Sequence, residues 1–216
     1  MNHRLHSLWK DNRYFILLLL LMFVFRSSIA DWNTVPSGSM RPTILEGDRI
    51  FVNKMAYDIR VPFTHISLYK IDDPSRGDIV IFDSNVSDKR LVKRVIGVPG
   101  DTVAMTNNMV YINGQPQQYE EVSADSSGER MTEYLSGAEH FIQIKKHGSP
   151  LSSFPPVTVP EAYYLVLGDN RDNSADSRVI GFVPRDEIVG RSRSVVMSLD
   201  YDNYYIPRKD RFFHAL

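Results

Sequence analysis

The hydrophobic pattern divides this chain into one long apolar block and a succession of short ones. Tyr14 to Phe25 is an unbroken apolar run, with Arg4, Lys10 and Arg13 before it. A positive flank of this kind predicts that the N-terminus stays in the cytoplasm and that the remainder crosses the membrane. Twelve helical residues span roughly 18 Å, short of the ~30 Å hydrocarbon core. Carrying the helix through Arg26 to Ala30 brings it to about 25 Å, with Arg26 snorkelling outward. A cleavable signal peptide is the competing reading, since the basic start, short apolar centre and Ser28-Ile29-Ala30 ending fit that pattern too. Either way, the rest of the chain is expected on the outer side.

Beyond residue 30 the period changes. Short β-rich runs bounded by turn residues replace any helical spacing. Arg49 to Val52, Asp78 to Phe82 and Arg90 to Val98 read as strands, the last stopped by Pro99-Gly100-Asp101. Thr102 to Met105 and Met109 to Ile112 flank Asn107-Asn108, which predicts a hairpin. Asn113-Gly114 marks a second turn, and Ala162 to Leu167 and Ser194 to Leu199 are late strands. From about Gln115 to Pro160 the composition turns to Gln, Glu, Ser and Gly, with four prolines after residue 149. The expected architecture is mainly β: an antiparallel-sheet catalytic domain with a small inserted lobe, preceded by one N-terminal transmembrane helix. The expected boundaries are residues 1–13 cytoplasmic, 14–30 anchor, 31–114 and 161–216 the β domain, and 115–160 the inserted lobe.

Composition narrows the function classes. With 25 basic and 26 acidic side chains in 216 residues, the net charge of −1 gives no electrostatic case for a nucleic-acid partner. Cysteine is absent, which excludes thiol catalysis, cysteine metal sites and disulfides.

The candidate chemistry begins at Pro36-Ser37-Gly38-Ser39-Met40-Arg41-Pro42-Thr43. There a serine lies between glycine and methionine with prolines on both sides, as a nucleophile on a stiff turn would. A serine hydroxyl needs a base. The six histidines (His3, His6, His65, His140, His147 and His214) lie in no stretch that suggests a triad and read as surface or loop residues. Lysine can serve if burial keeps it neutral. In a strand, Leu91, Lys93 and Val95 share one face, which sets the amine between aliphatic neighbours, while Arg94 faces away with Val92 and Ile96. An edge strand with a snorkelling lysine is the bland alternative. The acidic run from Asp169 to Asp176 fails as a calcium loop, because Ser177 and Val183 stand where glycine and glutamate are needed.

Together the blocks resemble the bacterial type I signal peptidases. Pro36 to Thr43 and Gly47 to Lys54 match that family's nucleophile region. Arg76 to Phe82 and Lys93 to Asp101 match its lysine region. Gly168 to Arg178, continuing to Gly181-Phe182-Val183-Pro184, matches its last signature. All stand in family order, and such an ordered set is far more specific than any one block. The resemblance implies Ser39 as nucleophile, Lys93 as general base, and Ser37 as the hydroxyl that joins the Ser39 N–H in an oxyanion hole. It implies Ser174 as the residue orienting the amine, and Asp176 and Arg178 as a supporting ion pair, which i, i+2 spacing would place on one strand face. No metal or other cofactor is implied. Leu91, Val179-Ile180 and Ala162 depart from the family pattern around the base and the late strand, and leave the nucleophile untouched.

The expected activity is removal of signal peptides from exported preproteins after small residues, by a single-pass protein of the inner membrane with its catalytic domain outside. Its expected partners are those preproteins and the lipid bilayer, and it is expected to act as a monomer. Ser39 follows Ala30 by only nine residues, which favours a retained anchor over a cleaved signal. Val61-Pro62-Phe63 and Phe212-Phe213 are candidate apolar tips for the headgroup layer. A specialised peptidase for conjugation-pilus precursors, or a non-catalytic envelope binding module, are the alternatives. A self-cleaving regulatory protease with a DNA-binding region is disfavoured by the apolar N-terminus.

Overall fold

The computed structural model describes residues 2–64, 66–124, 128–135 and 137–216, with side chains from residue 12 onward. It opens with a 27-residue helix, α1 (Asn2–Ser28). The apolar stretch from Tyr14 to Phe25 is largely exposed on it. Among the described residues no helix is long and apolar enough to cross a membrane. The helix stops at Ser28, and Ala30 already belongs to a strand.

Strands then dominate. In chain order they are β1 (Ala30–Thr34), β2 (Asp48–Asn53), β3 (Asp58–Arg60), β4 (Ser67–Lys70), β5 (Ile79–Ser84), β6 (Lys89–Gly97), β7 (Thr102–Thr106), β8 (Met109–Ile112) and β9 (Gln115–Pro116). After them come β10 (Gln118–Ala124), β11 (Glu129–Leu135), β12 (Ala138–Ile144), β13 (Phe154–Thr158) and β14 (Tyr163–Leu167). A four-residue helix, α2 (Ser177–Ile180), precedes β15 (Val183–Pro184) and the long β16 (Ile188–Asp200). Two short pieces, β17 (Ile206–Pro207) and β18 (His214–Ala215), pair with β16.

The main sheet runs β1-β2-β16-β5-β6-β14-β15, and every pairing in it is antiparallel. The mainly β, antiparallel expectation is therefore met. Ile79 to Phe82 is wholly buried in β5, between β16 and β6, which is why that run is continuous in sequence and does not alternate. The predicted hairpin forms between β7 and β8, with φ of 48° and 65° at Asn107 and Asn108. Two positive φ values are what a tight hairpin turn needs, and asparagine tolerates them.

The stretch with the altered composition splits between two sheets. β10-β11-β12 form a sheet of their own, whereas β9 and β13 pair with β8 and β7. The separately paired unit is thus residues 118–144.

Three apolar clusters hold these layers. One gathers Ile96, Val103, Met105, Leu165 and Leu167. Another holds Val80, Phe82, Val95 and Val166. The third contains Val35, Met40, Ile44, Ile50 and Ile81. Met40 directly follows Ser39 and is 1% exposed, so the turn bearing the serine is fastened into the core. Burying such a side chain contributes about 1.5–3 kcal/mol.

Candidate active site

Ser39 sits in a single 3-10 turn, Gly38–Met40, just after β1. The turn is closed by Arg41 N–H donating to Gly38 O at 3.1 Å, and Ile44 N–H donates to Met40 O at 2.9 Å. β6 approaches from the other side. It pairs with β5 so that Lys93 lies opposite Val80 and Arg94 opposite Ile79. Lys93 is 2% exposed, so it is no snorkelling edge residue. Its Nζ donates to Ser39 Oγ at 2.7 Å and to Val92 O at 3.0 Å. Burial pulls its pKa down to about 8, opposed by the carboxylates of Asp176 and Asp169 and helped by the Arg178 guanidinium. About a tenth of the amine is therefore neutral at pH 7, far more than for an exposed lysine.

Ser37 is exposed beside Ser39, its Oγ 3.5 Å from Ser39 Oγ. Ser174 is buried near the same point, yet among the described residues its Oγ has no hydrogen-bond partner and so none to Lys93. It is packed over Gly168. A Cβ built on Gly168 would lie 2.2 Å from Ser174 Oγ and 2.4 Å from the backbone oxygen of Ser39.

Asp176 and Arg178 do form an ion pair, at 2.6 Å, but not on a strand face. Asp176 is the N-cap of α2 and accepts from Arg178 N–H. An aspartate whose carboxylate can take the first free amides of a helix favours that role over a strand position. The same carboxylate accepts from Gly168 N–H at 2.9 Å, which ties α2 to the glycine behind Ser39.

The remaining carboxylates of the acidic run are all occupied. Asp169 holds Arg94 through two bonds, at 2.9 and 2.7 Å, and accepts from Thr43 Oγ1 at 2.6 Å. Asp172 accepts from Ser149, Ser152, Asn108 and the Lys145 amide. Among the described residues no group of His and acidic side chains could hold a metal ion.

Asn170, which carries no expected role, is the residue that grips the Ser39 turn. Its N–H donates to Ser39 O at 3.1 Å and its Nδ2 to Gly38 O at 2.9 Å. No residue pattern announces this, because the bonds run to backbone oxygens. Reading His140 as a surface residue also fails. Its side chain is 4% exposed and its Nε2 lies 3.0 Å from Glu133 Oε2. His147 and His214 are exposed, His65 lies outside the described residues, and so do the side chains of His3 and His6.

A groove of about 550 Å3 opens over Ser39 and Lys93, walled by residues 32–37 on one side and 89–92 on the other. Residues 89–92 of β6 pair with β5 on one edge, whereas on the other edge β14 pairs only over Arg94–Gly97, and among the described residues no strand is bonded to that edge of 89–92.

A β scaffold with a serine hydroxyl at the floor of a peptide-sized groove defines a hydrolase of the serine endopeptidase class. The chain belongs to the signal peptidase family: the model of "Signal peptidase, peptidase S26" matches residues 9–197. Signal peptidase I of Pseudomonas fluorescens is 37% identical over 205 residues, covering 85% of this chain and 70% of that protein. Signal peptidase I of Pseudomonas aeruginosa is also 37% identical, with the same coverage, and that of Bacillus amyloliquefaciens is 35% identical over 88% of this chain and 86% of its own. The family cleaves signal peptides from exported preproteins.

One consequence concerns Gly168. A side chain there would meet the carbonyl of Ser39, which cannot withdraw without moving that residue. Gly168→Ala is expected to lower the rate of signal-peptide cleavage by about 100-fold, since a displacement near 1 Å at reacting atoms costs that much. Initial rates on a preprotein, with the folded fraction followed by circular dichroism, check this.

Proposed function

We propose that this protein is a membrane-tethered peptidase that removes N-terminal signal peptides after small residues, with Ser39 as nucleophile and neutral Lys93 as general base. The observation that carries the reading is the 2.7 Å bond from the buried Lys93 amine to Ser39 Oγ. That distance lies within the reach a general base requires.

On this reading the amine takes the Ser39 proton as Oγ attacks the scissile carbonyl. The oxyanion so formed is met by the Ser39 N–H and the Ser37 hydroxyl, a type of stabilisation worth roughly 3–4 kcal/mol per donor. The lysine ammonium then returns its proton to the leaving amine, and the signal peptide is left esterified to Ser39. The same amine, neutral again, activates the water that hydrolyses the ester. Ser174, buried with an unbonded hydroxyl, supports the amine, and the Asp176–Arg178 pair fixes the segment behind it. The substrate lies extended in the groove, adding its backbone to the open 89–92 edge of β6.

The membrane assignment rests on the apolar run from Tyr14 to Phe25 at the head of the chain, with basic residues before it. Ser39 follows Ser28, the last residue of α1, by only 11 residues. Lys54 Nζ caps the last carbonyls of α1, donating to Arg26 O and Ser27 O at 2.9 and 3.2 Å, and Phe63 N–H donates to Ser27 Oγ at 2.6 Å. Phe63 and Phe213, 72% and 80% exposed, are apolar tips suited to the headgroup layer.

The test uses protein recovered in detergent from carbonate-washed membranes, with Ser39→Ala prepared alongside. It is expected to cut preproteins whose signal ends in Ala-x-Ala, and Ser39→Ala is expected to cut none. Cleavage confined to pilin precursors would assign it to the specialised alternative, and no cleavage of any precursor would leave a binding module.

A further inference from the structure

The sheet β10-β11-β12 lies outside the groove, and nothing in the chemistry above uses it. Yet it delivers one carboxylate into the interior. Glu133, on β11, is 0% exposed. Arg171 donates to its Oε2 at 2.5 Å, and the Tyr119 hydroxyl of β10 donates to Oε1. His140 Nε2, from β12, lies 3.0 Å from Oε2. Burial opposes ionisation of Glu133, but Arg171 and His140 outweigh it and hold its pKa well below the ordinary value.

Two paths lead from this carboxylate to the reacting groups. The first passes through Arg171, 1% exposed, whose neighbour Asn170 makes both bonds to the carbonyls of Gly38 and Ser39. β12 braces the same segment, with Gln143 N–H donating to Asp169 O at 2.8 Å and a parallel bridge joining Gln143 to Asn170. The second passes through His140, whose Nε2 is 3.9 Å from Asp169 Oδ1. Asp169 holds Arg94, the residue next to Lys93. Burial and the Arg94 guanidinium push the His140 pKa down, against the pull of Glu133 and Asp169.

A buried ion pair of this kind is a poor source of net stability, because desolvation consumes most of the attraction. It does fix geometry. Arg171 is planar and forked, and its position relative to Glu133 is closely defined. The nucleophile turn is anchored by Met40 and closed at Gly38, but the carbonyl of Ser39 itself is held from outside, by Asn170.

We infer that Glu133 is a positioning residue for the cleavage reaction, through which the 118–144 sheet sets the placement of Ser39 by way of Arg171 and Asn170, and that of Lys93 by way of Asp169 and Arg94. The inference rests on Ser39 and Lys93 being nucleophile and base. The lobe is then part of the catalytic apparatus without touching the substrate.

The experiment is a steady-state comparison of wild type, Glu133→Gln, Arg171→Met and the double variant on a signal-peptide substrate, with Ser39→Ala alongside. Glu133→Gln keeps the shape and removes the charge. It is expected to lower kcat by about 10- to 100-fold, the cost of a displacement up to about 1 Å, with KM within about twofold. The double variant is expected to be slower than Arg171→Met alone by less than the full Glu133→Gln factor, because the path through Arg171 is shared while the path through His140 is not. Glu133→Asp withdraws the charge by one methylene and is expected to show a smaller loss in kcat alone. A Glu133→Gln enzyme with wild-type kcat, or losses that multiply in the double variant, overturns the inference. Failure of both Glu133 variants to fold assigns the residue to stability alone and overturns it as well. If Ser39→Ala still cleaves, the underlying dyad has failed; if Ser39→Ala is inert while Glu133→Gln is fully active, only the positioning role has.

Discussion

Lys93→Arg is expected to abolish cleavage, with kcat falling at least about 1,000-fold while substrate binding persists. A guanidinium stays protonated at any pH the protein survives and cannot accept the Ser39 proton. Lys93→Ala is expected to do no better, since nucleophile and base act as a unit and loss of either costs nearly as much as loss of both. The wild-type pH profile carries the matching sign. The amine works only when neutral, and burial brings its pKa down to about 8. Activity is therefore expected to rise with pH, reach half its plateau near pH 8, and fall about tenfold per unit on the acid side. Cleavage rates of a preprotein between pH 6 and pH 10, at saturating substrate, measure both. Normal turnover by Lys93→Arg would falsify the dyad.

The largest effect on stability is expected from Asp169→Ala. This carboxylate is 1% exposed and is the bidentate partner of Arg94, itself buried. Deleting it strands a guanidinium in the core, a loss of about 3–5 kcal/mol. The melting temperature is expected to drop by several degrees or more. The pair also predicts an acid limb in stability. Burial opposes ionisation of Asp169, but Arg94 outweighs it and lowers its pKa below the ordinary 3.8. The contribution is full above that value and is lost as pH falls through the lower folded one. Urea titrations at pH 7 and pH 3 on wild type and Asp169→Ala separate the pair's contribution from general acid effects.

The central strands of the main sheet and the β7–β8 hairpin beside it were legible because their sequences answer to simple rules. Ile79 to Phe82 is continuous because β5 is covered on both faces, and Asn107-Asn108 marks the turn between β7 and β8 because both residues adopt positive φ. Ser39 and Lys93 were legible for a related reason. A lysine flanked by aliphatic residues in a strand is costly unless something uses it, and the structure brings its amine to the serine. What escaped was polar and long-range. Arg94 meets Asp169 across 75 residues of sequence and Glu133 meets Arg171 across 38, and no local spacing marks such partners. Asn170 escaped because it holds backbone oxygens, which every residue possesses. The sheet of β10-β11-β12 was hidden by its composition, its charged residues reading as a solvated insert. One hint was present: Glu133 stands two places before Leu135, and both are fully buried on β11. Asp176 was placed on a strand because i, i+2 spacing fits one, but a helix cap fits the same two residues at the same distance.

The unpaired margin of β6 and the lysine amine belong to one strand, and on the proposed reading this makes the strand a ruler. A peptide bound along residues 89–92 is counted off in steps of two, because each such shift restores the same main-chain bonds and the same facing of side chains. The backbone alone thus permits several alignments that differ only in which carbonyl arrives beside Ser39. Choosing among them falls to side-chain bulk, so preproteins with small residues repeated at alternate positions ahead of the cut should yield mature ends that differ by two residues.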